Sequence, residues 1–213
     1  KAAGGLIKIV CVAPELPGAA DFIRRVSKEA RVSLAHTDCD YDTAHAAISA
    51  GARHVTHLYN AMRPMHHRAP GPIPAAAEDG RVTAELVCDG LHVHPAMVRA
   101  AYRLFGGSRL CLVSDAMAAC GMEDGEYGLG GQRVLVREGR ATLADGTIAG
   151  STATLWDCMK NALAFGVPLA DAVRTAWANP LRAVGGTPAP AQEGERANLV
   201  LCTGQFELLD VYA

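Results

Sequence analysis

Apolar positions in the first half of the chain gather into five short runs rich in β-branched residues: LIKIVCV (6–12), RVSLAH (31–36), HVTHLY (54–59), VTAELVC (82–88) and RLCLVS (109–114). Their near-continuous hydrophobicity predicts strands covered on both faces, as in a parallel sheet. The segments between them have helical period. DFIRRVSKEA (21–30) places Phe22, Val26 and Ala30 on one stripe, and DTAHAAISAG (42–51) ends on a glycine suited to a helix C-cap. HPAMVRAAYRLFGG (94–107) has proline near its start and glycine after its end. Strand and helix alternate every ~22 to 31 residues, which means βαβ units in a Rossmann-like sheet or a (β/α)8 barrel.

The polar residues separate these two architectures. In a barrel, chemistry gathers on the loops at the C-terminal ends of the strands. Here Glu15 follows the first run, His36 ends the second, and His57 and Asn60 end the third; Asp89 and His92 follow the fourth, and Asp115 follows the fifth. Ligand-type side chains at the same end of successive strands favour the barrel. No G-x-G-x-x-G or P-loop is present to bind phosphate at a strand-helix turn.

After Asp115 the pattern changes. Residues 126–150 alternate with period two and carry turn signals at Glu138-Gly139 and Asp145-Gly146, predicting a β-hairpin insertion. Segments 154–165 and 169–178 read as amphipathic helices. GGTPAPAQEGERA (185–197) reads as a linker or surface loop, and 198–213 as closing strands.

Composition narrows the classes of partner. Half of the 213 residues are apolar and the formal net charge is −2, without a run of five like charges, so nucleic acid and anionic membranes are not expected partners. No apolar run approaches the ~20 residues needed to span a bilayer, and the opening residues lack a signal-peptide pattern. The seven cysteines are odd in number and show no C-x-x-C spacing. Reduced, buried thiols in a cytoplasmic protein are expected, with small molecules or other subunits as partners.

A histidine at a strand end is a good zinc or iron ligand, because the strand fixes the direction of its ring. His36 and His57 stand at successive strand ends and can meet in one mouth; each can equally be a hydrogen-bonded histidine of the rim. Asp115, in LVSDAMAA, suits a general base that activates water and then protonates a leaving amine, or a loop cap. Asn60 and Arg68 follow the His57 run, and an arginine there suits a phosphate or carboxylate. His92 is the better candidate for a substrate contact. His94 reads as a helix-start residue, His66 and His67 as loop residues, and His45 and His54 as structural.

Taken together, THLYNAM, HHRAPG, DGLHVHP, LVSDAMAACGMEDGEYGLGG, DGTIAGSTATL and ANPLRAVG closely resemble the N-acetylglucosamine-6-phosphate deacetylase family of the amidohydrolase superfamily. The resemblance implies a metal-dependent hydrolase that releases acetate from an amino-sugar phosphate, with a divalent metal, zinc first and iron as the alternative. It implies His36 and His57 as metal ligands and Asp115 as proton acceptor and donor. Asn60 and Ala61 match the pair that binds the sugar phosphate, and Arg68 an arginine that reaches the phosphate, commonly across a homodimer interface. Asp89, Gly90, Leu91 and His92 match a sugar-contacting segment, and Ile148, Ala149 and Gly150 a loop that closes over the substrate.

The family also has a glutamate ligand at its third strand, whereas this chain begins at what resembles the fourth. Glu15 belongs to what resembles the fourth strand and is not taken for that ligand by default. The expected architecture is therefore strands four to eight of a (β/α)8 barrel over residues 1–184, with the C-terminal part of a small β-sandwich over 185–213. Two further readings are an inactive fragment or sugar-phosphate-binding remnant, and an amidohydrolase acting on a different amide.

Overall fold

The computed structural model describes residues 3–189, 193–194 and 199–212; residues 190–192 and 195–198 of the expected linker and closing strand lie outside the described residues. Five strands, β1 (Ile9–Val12), β2 (Arg31–Leu34), β3 (Ala52–Val55), β4 (Thr83–Val87) and β5 (Leu110–Val113), form one parallel sheet in the order β1-β2-β3-β4-β5. Spatial order follows chain order, and the order never reverses. The protein is an α/β fold built on this sheet.

The connecting helices are α1 (Ala19–Val26), α2 (Tyr41–Ala50), α3 (Pro72–Glu78) and α4 (Pro95–Phe105). Local chemistry fixes their ends. The Asp40 side chain accepts the Thr43 amide at 2.8 Å to start α2, and His94 Nδ1 accepts the Ala96 amide at 3.1 Å to start α4, with Pro95 in the first turn. Gly51 ends α2 at φ 129, and a Cβ there would lie 2.5 Å from Ser27 Oγ, so two units meet where only glycine fits.

Beyond the sheet, β6 (Gly125–Leu129), β7 (Gln132–Arg137) and β8 (Arg140–Thr142) form an antiparallel sheet. Helices α5 (Leu155–Ala164), α6 (Leu169–Ala176) and α7 (Ala178–Ala183) follow, then an antiparallel pair, β9 (Leu199–Cys202) and β10 (Leu208–Tyr212).

The expected strands and helices are present, with local differences. The third strand occupies Ala52–Val55 rather than 54–59, because left-handed backbone at His57 and Tyr59 breaks the extended run. The first helix ends at Val26, and Ile23, not the Phe22–Ala30 stripe, is its fully buried residue. Helices α3 and α7 were not expected, since each contains proline; their prolines fall in the first turn, where an amide has no intrahelical partner to lose. The insertion has three strands instead of two, because Gly130-Gly131 turns the chain as well as Glu138-Gly139, all four at positive φ.

The main core packs the helices against one face of the sheet through residues such as Ile23, Leu34, Leu58, Ile73, Leu86 and Phe105. Each such side chain contributes about 1.5–3 kcal/mol when fully buried. The other face departs from the expectation of two apolar faces. There Ser33 Oγ meets Thr56 Oγ1 at 2.6 Å, and His54 bonds Thr83 Oγ1 at 2.6 Å and Glu85 Oε1 at 3.0 Å. A second core of Met117, Ala119, Val134, Val136, Ala141 and Ala149 joins the antiparallel sheet to the loop after β5.

Cys39, Cys88, Cys111 and Cys158 are buried and Cys11 is exposed; all seven cysteines are free. Among the described residues no helix is long and apolar enough to cross a membrane.

Candidate functional site

The chemistry-bearing side chains stand where β1 to β5 end. His57 follows β3 after Thr56, on backbone at φ 31, and is 8% exposed. Its Nδ1 lies 3.1 Å from the Asn60 carbonyl oxygen. A carbonyl only accepts, so Nδ1 carries the proton and Nε2 keeps its lone pair. That Nε2 faces His36 Nε2 at 3.0 Å, with the ring planes at 65°. Two imidazole ligands of one tetrahedral zinc at 2.0–2.1 Å stand about 3.3 Å apart, so the pair fits a shared ion with little movement. Among the described residues no group of three or more His, Cys, Asp or Glu is placed to hold a metal.

Left-handed backbone marks this end of the molecule. His36 (φ 48), His57, Tyr59 (φ 77), Ala61 (φ 48) and Asp115 (φ 50) all adopt it without being glycine. Such conformations cost about 1–3 kcal/mol each and persist where the surroundings over-determine them.

The surroundings are a hydrogen-bond web between loops. The Thr37 amide donates to Ala61 O and the Arg63 amide to Thr37 O, both at 3.0 Å, and Arg63 grips Asp38 through two bonds of 3.0 Å. Thr37 Oγ1 and the Asp38 amide both donate to Glu15, at 2.5 and 2.8 Å. Burial acts to raise the Glu15 pKa, but the Thr37 hydroxyl and the Asp38 amide outweigh it and hold the carboxyl below its ordinary value. Glu15 is thus a loop brace.

Asn60 donates its side-chain amide to His57 O and Leu58 O, at 3.3 and 3.2 Å, closing its own turn. In the loop after β4, Asp89 and His92 form a pair at 2.6 Å, and Gly90 (φ 80) and exposed Leu91 lie between them. His92 lines a cavity of about 270 Å³ with Tyr59, Pro64, Met65, Val93 and Met97.

Asp115 is exposed, and its carboxylate has no hydrogen-bond partner among the described residues. Its backbone oxygen accepts the Ser151 amide at 2.9 Å, and the Met117 amide donates to Ser151 O at 2.8 Å, so the loop carrying Ile148, Ala149 and Gly150 lies beside it. Gly150 has φ 74, and a Cβ there would lie 3.0 Å from Met117 Cβ. Arg68 is exposed, with Nη1 2.8 Å from His67 Nε2; His66 Nδ1 accepts the Arg68 amide at 3.3 Å. The histidine pair therefore packs around the arginine.

The residues brought together are thus His36 with His57, Asn60 and Ala61 with them through the Thr37 web, and Asp115 with 148–150. Sequence reasoning missed Thr37 and Glu85. Glu85 accepts from His54 and from the His57 amide at 3.3 Å; burial acts to raise its pKa, but the bond and charge of His54 together with those of His57 outweigh it and hold the carboxyl below its ordinary value. A charged residue midway along the apolar run VTAELVC was the available signal.

A larger cleft of about 540 Å³ opens at the opposite ends of the strands, among Lys8, Lys28, Arg31, Arg53 and Arg81. There Arg31 and Arg53 donate to the backbone carbonyls of Ala183 and Ile48, capping the ends of α7 and α2.

The α/β fold built on this parallel sheet is shared with a class of sugar-phosphate deacetylases of known structure. The chain is 51% identical over 151 residues to N-acetylglucosamine-6-phosphate deacetylase of Bacillus subtilis, covering 70% of this chain and 38% of that protein. It is 37% identical over 198 residues to N-acetylgalactosamine-6-phosphate deacetylase of Escherichia coli O157:H7, covering 91% of this chain and 52% of that one. The crystal structure of N-acetyl-D-glucosamine-6-phosphate deacetylase from Mycobacterium smegmatis matches with a TM-score of 0.93 at 43% identity, over 99% of this chain and 57% of that chain. No protein-family profile matches. The chain is homologous to part of the N-acetylglucosamine-6-phosphate deacetylases and spans less than two thirds of the length of these relatives.

Proposed function

We propose that the protein carrying this chain hydrolyses N-acetylglucosamine 6-phosphate to glucosamine 6-phosphate and acetate, in the cytoplasm. The observation that carries this reading is the His36–His57 pair, two imidazoles converging at 3.0 Å on left-handed backbone, at the strand ends where Asp115 also stands. The unreversed strand order and the clustering of chemistry at one end support a segment of a (β/α)8 barrel over residues 1–184. The exposed apolar pair β9 and β10 supports the C-terminal part of a β-sandwich over 185–213.

In this reading His36 and His57 hold a divalent ion, zinc or iron, through their Nε2 atoms. When bound, the ion supplies Lewis-acid polarisation of the amide carbonyl and acidifies water. Asp115, whose carboxylate has no hydrogen-bond partner among the described residues, takes a proton from the attacking water and returns it to the departing nitrogen. Asn60 and Ala61 bind the sugar phosphate, and the loop 148–150 closes beside Asp115. Arg68, exposed and without a carboxylate partner among the described residues, meets the phosphate across a homodimer interface.

Metal content and acetate release test the reading together. Calorimetry should show zinc binding that His36→Ala and His57→Ala abolish, and acetate should appear from N-acetylglucosamine 6-phosphate. Metal binding without turnover favours the remnant. Faster turnover of the 4-epimer, the sugar in the name of the Escherichia coli relative, reassigns the substrate.

A further inference from the structure

The pair in the loop after β4 is tightly buried: the Asp89 side chain is 3% exposed and that of His92 9%. Asp89 Oδ1 accepts the amides of Leu91 and His92 at 2.9 and 2.8 Å, and Oδ2 lies 2.6 Å from His92 Nδ1. Burial acts to raise the Asp89 pKa, but the His92 bond and the two amides outweigh it and bring it down to about 2. An ionised carboxylate only accepts, so Nδ1 must bear the proton. Nε2 makes no hydrogen bond to protein among the described residues, and the ring lines the cavity walled by Tyr59, Pro64, Met65, Val93 and Met97.

We propose that Asp89 is a positioning residue: it fixes His92 in the Nδ1–H form, so that Nε2 accepts a hydrogen bond from a hydroxyl of an amino-sugar phosphate in this cavity. The proposal rests on the amino-sugar reading above and changes the role that the family resemblance implies for Asp89. Its oxygens are committed to two amides and one imidazole and are closed to solvent, so it does not itself touch the sugar. The carboxylate orients the ring and sets which nitrogen accepts, as partners of functional histidines do. The apolar walls suit the C–H face of a pyranose ring.

The tautomer is read by nitrogen NMR of the labelled chain and needs no sugar. The parent should show Nδ1–H. In Asp89→Asn the two amide N–H groups keep the side-chain oxygen, so the NH2 faces Nδ1 and the ring should change to Nε2–H. A parent ring in the Nε2–H form, or an unchanged ring in Asp89→Asn, overturns the proposal. Titration with glucosamine 6-phosphate should show about tenfold weaker binding for Asp89→Asn and for His92→Ala. The double variant should be no weaker than His92→Ala alone, since Asp89 acts only through the ring. Multiplicative losses in the double variant would mean that Asp89 touches the sugar, and would overturn the proposal. Binding of the sugar phosphate by the parent, with no tautomer change in Asp89→Asn, sinks this proposal alone. A tautomer change in Asp89→Asn, with no sugar phosphate bound by the parent, sinks the amino-sugar reading and the ligand half of the proposal with it.

Discussion

Thr37 Oγ1 donates to Glu15 Oε2 at 2.5 Å, tying the loop after β1 to the loop after β2. The same residue bonds Ala61 and Arg63 through its backbone, so one buried threonine joins three loops next to His36. Thr37→Val keeps the shape and removes the hydroxyl, which also accepts the Cys39 amide at 3.1 Å. The expected loss is about 1–2 kcal/mol in denaturant unfolding at neutral pH. Glu15 is held below its ordinary 4.5, so its contribution is present above that value and fades as pH falls through the folded value. Melts of the variant at pH 7 and pH 3 should accordingly differ less than those of the parent.

Asp89 gives the clearest pH dependence. Its folded pKa is about 2 against an ordinary 3.8, a depression that stabilises the folded state when the carboxyl is ionised. The contribution, about 2 kcal/mol, is complete above pH ~5 and lost as pH falls towards 2. Urea unfolding of the parent from pH 6 to pH 3 should show about half of this loss. Asp89→Asn, which cannot titrate, should give a flatter profile, and equal slopes would assign the acid sensitivity elsewhere.

Replacing Asp115 by asparagine keeps the side-chain volume and removes the proton acceptor. Acetate release should fall by at least about a hundredfold, the scale of general acid-base catalysis, while zinc content by elemental analysis stays unchanged. Retained turnover would remove Asp115 from the reaction. A lost metal would mean that it holds the ion.

Arg68 is exposed, so Arg68→Ala should leave the melting temperature within about a degree, as surface substitutions do. If it meets the phosphate, KM for the sugar phosphate should rise about tenfold while turnover of the unphosphorylated sugar does not change. Steady-state kinetics on the two substrates decides it. An equal effect on both would make Arg68 a loop residue.

Much of this was legible in the sequence. The βα rhythm is visible because each strand of a parallel sheet contributes a compact apolar run, and Gly51, Pro95 and Gly106 mark the helix ends. His36 and His57 were legible as polar residues closing apolar runs, and the structure brings their rings together at 3.0 Å. The turn that holds them was not: nothing local in HVTHLY shows that the strand stops at Val55, since no glycine marks the left-handed backbone at His57 and Tyr59 and the bonds around it reach Glu85 of β4 and His36, far off in the chain. The Thr37 web joins residues far apart in the chain, and the polar face built by Ser33, His54, Thr56, Thr83 and Glu85 is spread over three strands, one or two residues in each. Prolines hid α3 and α7 because composition weighs proline without regard to its position in the first turn.

The left-handed residues at the strand ends carry one more consequence. At His36, His57 and Asp115 the backbone is one that glycine adopts at little cost, so replacement by glycine should relieve strain that alanine at the same positions would keep. Selection for a sturdier fold and selection for chemistry pull in opposite directions at these three positions. A library screened for thermal resistance alone should therefore lose this site while the sheet beneath it endures.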